Sequence, residues 1–189
     1  MRTSQNDLRP PLLLLAGTSE SGKSTAGAYL AARGVHRVKI RTILTCLTSG
    51  VPAVHEGVPM REGFDHSEFI DRLLTIDIPA DRRAVLVESF IDTSLAEAAR
   101  TAWPAPCRIV FITAPRAVRL QRLAADRHLD LADAASMLDA KDARKRVTEQ
   151  LDRWRAIAEH WINNDTNRDD YLQQLASILD QLTRPEGTR

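Results

Sequence analysis

Apolar and polar positions follow two rhythms along this chain. Leu12–Ala16, Ala84–Val87 and Ile109–Ile112 are unbroken apolar runs, the pattern of strands buried on both faces. Val35–Ile40 and Trp161–Asn163 are shorter strand candidates, and the strand around Ile109 spans Arg108 to Thr113. Between these runs the apolar residues recur at helical spacing. Lys23–Arg33 predicts a helix stopped by Gly34, followed by helices over Arg41–Thr48 and His66–Ile76. Ser94 with Glu97 reads as a capping box for a helix reaching Trp103, and Pro115 opens another. Asp130 with Asp133 starts a helical stretch that breaks near Lys141 and continues to His160; Asp169–Leu182 is the last helix. Strands alternating with helices predict an α/β fold: a parallel sheet of about five strands with helices on both faces.

One stretch departs from both rhythms. Residues 49–65 carry Gly50, Gly57, Gly63, Pro52 and Pro59 and predict a long loop, which in a compact domain is commonly functional. The polar residues 1–10 predict a flexible arm, 11–182 a single domain, and 183–189 a C-terminal tail.

Composition narrows the function classes. With 26 Lys+Arg against 25 Asp+Glu, the net charge of +1 gives little general attraction for nucleic acid. Of those cations only Lys23, Lys39, Lys141 and Lys145 are lysines, so an arginine alone carries little meaning. Cys46 and Cys107 form no metal or redox spacing, and the five histidines form none either. No run is long enough for a signal peptide or a membrane span, so a cytoplasmic enzyme with no membrane or nucleic-acid partner is the expectation. Trp103, Trp154 and Trp161 read as packing residues.

The specific chemistry lies after the first strand. Gly17-Thr18-Ser19-Glu20-Ser21-Gly22-Lys23-Ser24 matches glycine, four residues, then Gly-Lys-Ser, and Thr25 follows. A chance match in a chain this size has odds of roughly one in a hundred. Its position between an apolar strand and a helix lowers those odds, because phosphate oxygens there meet successive backbone N–H groups and the positive end of a helix. Gly17 and Gly22 allow close backbone approach, with Ser19, Glu20 and Ser21 completing the cradle. Lys23 would reach the β- and γ-phosphates of ATP, Ser24 would ligate Mg²⁺, and Thr25 would lie beside the α-phosphate. Glu88 closes an apolar strand where a carboxylate serves Mg²⁺ or an acceptor, and Asp92 follows as a second acid or a helix cap.

This loop near the start, the acid ending the third strand and the segment Ala114-Pro115-Arg116-Ala117-Val118-Arg119-Leu120-Gln121-Arg122-Leu123 with Asp126-Arg127 resemble the P-loop kinases of nucleotides and small metabolites. The resemblance covers residues 11–182, and adenylate kinase and dephospho-CoA kinase are the nearest comparisons. It implies a short helical lid over residues 122–146, with Arg122 and Arg127 as catalytic cations. Lys141, Arg144, Lys145 and Arg146 are further candidates, Arg144 for the substrate. Trp161-Ile162-Asn163-Asn164-Asp165 is similar to the last strand and adenine-side loop of dephospho-CoA kinase, placing Asn164 at the nucleotide. Arg41 is similar to an acceptor-phosphate arginine, and residues 49–76 are the expected acceptor region. Lys39 and Arg41 stand where the dephospho-CoA kinase pattern has an aspartate, which favours a phosphorylated acceptor. A hydroxyl acceptor, dephospho-CoA included, is the alternative; a regulatory ATPase is the reading from a different class.

Overall fold

The computed structural model describes residues 9–47, 66–165 and 167–184. Most of the expected 1–10 arm, the loop over 49–65 and the end of the tail lie outside the described residues. The strands are β1 (Leu12–Gly17), β2 (Val35–Lys39), β3 (Ala84–Phe90), β4 (Cys107–Thr113) and β5 (His160–Asn163). The helices are α1 (Lys23–Ala31), α2 (Ile40–Leu47), α3 (His66–Thr75), α4 (Thr93–Ala102), α5 (Arg116–Arg127), α6 (Leu131–Lys145), α7 (Leu151–Ile157) and α8 (Arg168–Thr183). The sheet is wholly parallel in the order β2-β3-β1-β4-β5. This is the expected α/β architecture.

Each apolar run feeds both faces of the sheet, as its lack of alternation required. Leu12 and Leu14 of β1, with Val85, Val87, Ile109 and Phe111, pack towards α2, α3, α4 and α7. Leu13 and Leu15, with Leu86, Val110 and Ile112, pack towards α1 and α8. Trp103 and Trp154 are buried, and Trp161 stacks on Phe111 with ring centres 4.2 Å apart.

Three local expectations change. The acid at the start of α4 is Asp92, not Ser94: its carboxylate accepts from Leu95 N at 3.1 Å and from the Ser94 hydroxyl at 2.5 Å. An aspartate in extended conformation satisfies an orphan helix donor better than the residue two places inside the helix. The break expected near Lys141 falls at Arg146, which takes a left-handed φ of 50° while α6 runs on through Lys145. Finally, β3 continues two residues beyond Glu88 through a bulge, with Ser89 at φ 79°. The extra residue reverses the facing, so Phe90 turns from the α1 side towards Phe69, which it meets edge to face at 6.0 Å.

α5 and α6 stand apart from the two main layers around a small core of Leu123, Ala134 and Leu138. No helix of the described residues is long and apolar enough to cross a membrane.

Candidate phosphate-binding site

The chain leaves β1 for β2 on one side of the sheet, and the crossover from β3 to β4 passes to the other. β1 thus ends at the switch point between β3 and β4, where parallel sheets open a crevice at their carboxyl ends. Residues 18–22 fill that position. Gly17 takes φ 142° and lies so close to β4 that any side-chain carbon would strike Ile112 O. Gly22 takes φ 101° and caps α1, and Glu20 between them adopts φ 57°. The loop therefore turns back on itself and delivers Lys23 into the first helical turn.

Lys23 is buried at 8 % exposure, yet its ammonium has no carboxylate partner. It donates to Gly17 O at 2.9 Å, to Thr18 O at 2.5 Å and towards Ser21 Oγ at 3.5 Å. Burial, with Lys145 adding to it against the pull of Glu20 and Glu88, brings its pKa down to about 7. Lys145 is also shifted down, first by burial, with Lys141 and Arg144 adding to it against the pull of Glu20. The Thr18 and Ser19 hydroxyls are buried without partners, as are Arg119 Nε and Arg122 Nη1. Unmet donors around a buried ammonium with no carboxylate in direct contact fit a bound polyanion, since such groups are costly to bury otherwise.

α5 and α6 bring further cations to the loop. Arg119 donates to Ser19 O at 3.2 Å and pairs with Asp142 at 2.7 Å, while Lys141 pairs with Glu20 at 2.7 Å. Arg122 donates to Asn164 O at 3.0 Å and Oδ1 at 3.3 Å, and Asn164 Nδ2 donates in turn to Ser21 O at 2.8 Å. Asn164 thus sits against the loop backbone.

The remaining expected residues are placed differently. Ser24 and Thr25 are exposed at the start of α1, open to a ligand. Arg127 is exposed and pairs with its neighbour Asp126 at 3.3 Å, away from the loop. Arg144 is exposed on α6, and Arg41 is exposed on α2. Glu88 is 1 % exposed and is gripped by both forks of Arg37 from β2, Nε to Oε2 at 3.1 Å and Nη2 to Oε1 at 2.8 Å. The pair lies against Gly27, where a side-chain carbon would collide with Glu88 Oε2 and come within 2.5 Å of Arg37 Nε.

Arg37, Arg119 and Tyr171 are contacts that the sequence reading did not select. Arg119 had a usable signal: it lies one helical turn from Arg122, whereas Arg127 is roughly 140° out of phase with Arg122. Tyr171, whose hydroxyl donates to Gly22 O at 2.9 Å, carried none.

No family model matches the chain, and no curated protein matches it. Solved structures do. An uncharacterized protein from Eubacterium ventriosum aligns with a TM-score of 0.63 and 10% identity, covering 89% of this chain and 98% of its own. A gluconokinase from Sinorhizobium meliloti aligns at 0.58 with 18% identity over 93% of this chain and 95% of its own. A shikimate kinase from Acinetobacter baumannii, solved with shikimate, aligns at 0.52 with 18% identity over 95% and 96%. The five-stranded parallel sheet with its phosphate loop thus has the fold of the P-loop kinases.

Proposed function

We propose that this chain transfers the terminal phosphoryl group of ATP to a small anionic metabolite, most naturally a phosphorylated one. The observation that carries this reading is Lys23: a buried ammonium in a complete phosphate loop, met only by carbonyl and hydroxyl oxygens. A triphosphate supplies the missing negative charge. Phosphoryl transfer asks a protein mainly for positioning and charge stabilisation, and Lys23, Lys145, Arg119 and Arg122, gathered at the loop, would supply both. Mg²⁺ would neutralise the phosphate oxygens, with the exposed Ser24 hydroxyl as the chain's own ligand. α5 and α6 form the short helical lid.

The acceptor class rests on where the acids are. Among the described residues around the loop, Glu20, Asp142 and Glu88 are each paired with a cation, and Asp92 caps α4. Lys39 stands in register with Glu88 at the end of β2. Among the described residues this arrangement provides cations for an acceptor already ionised, and the carboxylates beside the loop are committed to a cation or a cap; Asp77, which lines a cleft with Lys39 and Thr42, is the acid left to serve a hydroxyl acceptor. Arg41 fits the same role. A hydroxyl acceptor is the second reading, favoured by the fold's appearance in gluconokinase and shikimate kinase.

ADP release should be measured with nucleoside monophosphates, other phosphorylated metabolites, nucleosides, sugar acids and dephospho-CoA. The reading expects release that depends on an anionic, phosphorylated acceptor. Release that no acceptor changes would mark a hydrolase or switch, and release driven by an unphosphorylated hydroxyl compound would replace the acceptor class.

A further inference from the structure

The last two carbonyls of the phosphate loop each accept a side-chain hydrogen bond from outside it, and Gly22 O also accepts from Ala26 N at 3.0 Å as the first bond of α1. Asn164 Nδ2 donates to Ser21 O at 2.8 Å, and the Tyr171 hydroxyl of α8 donates to Gly22 O at 2.9 Å. A planar trans peptide unit points its C=O and N–H in opposite directions. Tying down Ser21 O therefore turns Gly22 N–H away from Asn164, and the Tyr171 hydroxyl joins Ala26 N in tying down Gly22 O, which turns Lys23 N–H away from Tyr171. These are donors at the start of α1, where the helix has no internal acceptors for them.

The orientation of Asn164 is itself fixed. Its Oδ1 accepts from Arg122 Nη2 at 3.3 Å, which leaves the amide nitrogen facing the loop. The fit is tight, because a side chain at position 22 would strike that nitrogen. Arg122 belongs to α5, and its Nη1 is buried without a partner.

We propose that Asn164 and Tyr171 are positioning residues that aim the Gly22 and Lys23 N–H donors at the bound phosphate chain, with Arg122 coupling that aim to α5. The proposal rests on the phosphate-loop reading above and deepens it, and it gives Asn164 a task on the loop in place of one at the adenine.

The test is calorimetric titration of the full chain and of Tyr171→Phe and Asn164→Asp with ATP, inorganic tripolyphosphate and adenosine, alongside thermal melts. Tyr171→Phe removes one hydroxyl and should weaken ATP and tripolyphosphate equally, by about ten-fold. Asn164→Asp puts an acceptor against Ser21 O and should weaken both further, with adenosine binding unchanged. Variants with lowered melting temperature and unchanged polyphosphate affinity would overturn the proposal, and so would a loss seen with ATP and adenosine but absent with tripolyphosphate. A wild-type chain that binds neither polyphosphate would contradict the phosphate-loop reading itself, whereas wild-type binding with unaffected variants contradicts the positioning role alone.

Discussion

Two buried charges flank α1, and they are treated in opposite ways. Lys23 hydrogen-bonds only to main-chain carbonyls and a hydroxyl, and burial, against the more distant pull of Glu20 and Glu88, brings its pKa down to about 7. Glu88, one turn further along the same helix at Gly27, has a dedicated bidentate arginine. Burying a charge is costly unless it is paired. The unpaired charge is the one the proposed phosphate ligand would meet, whereas the paired one is already satisfied within the fold.

The largest expected effect falls on Lys23. Lys23→Met should cut phosphoryl transfer by about 10³-fold or more, measured as acceptor-dependent ADP release, with the fold intact. The same change has a pH signature. The folded pKa lies below the unfolded value, so the unfolded chain holds more protons between about pH 7 and the usual lysine value of 10.5. Lys23 thus makes stability rise with pH across that window. Lys23→Met should flatten the rise in urea melts of the free protein.

Next in size is the pair. Arg37→Ala leaves Glu88 buried and unpaired and should cost about 3–5 kcal/mol in urea denaturation. Glu88→Gln sharpens the comparison: a variant of wild-type stability with transfer reduced a hundred-fold would place the acid in the chemistry and break the contrast with Lys23. Gly27→Ala should destabilise by about 1–3 kcal/mol, because the new carbon meets Glu88 and Arg37. The smallest effect belongs to Asp92. Its replacement by alanine should cost about 1 kcal/mol as a lost helix cap, while Asp92→Asn keeps the cap and should leave transfer and its pH profile unchanged.

The same contrast explains what could be read from the chain. The turn over residues 17–24 was legible because the phosphate-binding task proposed for it falls on the backbone, which needs glycines and a lysine at set spacing within eight consecutive residues. The three central strands, β1, β3 and β4, were legible because a doubly buried strand needs an unbroken apolar run. Glu88 could be placed at a strand end, but its partner could not be named. Arg37 lies 51 positions away and meets it only because the sheet sets β2 beside β3. The resemblance put Arg127 beside Arg122, although of Arg119 and Arg127 it is Arg119 that shares the loop-facing side of α5 with Arg122. Asp92 offered a cap and an acid in the same letter, and only the geometry of α4 shows the cap in use.

The central claim is that Lys23 waits for phosphate charge. It is tested most directly by titrating ATP into the protein at about pH 8 in two buffers of different ionisation enthalpy. Lys23, lowered to about 7, is then mostly neutral and must regain its proton beside the phosphates. The account predicts tight binding with net proton uptake, and weak binding without that uptake in Lys23→Met. Tight ATP binding that takes up no proton, or that survives unchanged in Lys23→Met, would contradict it.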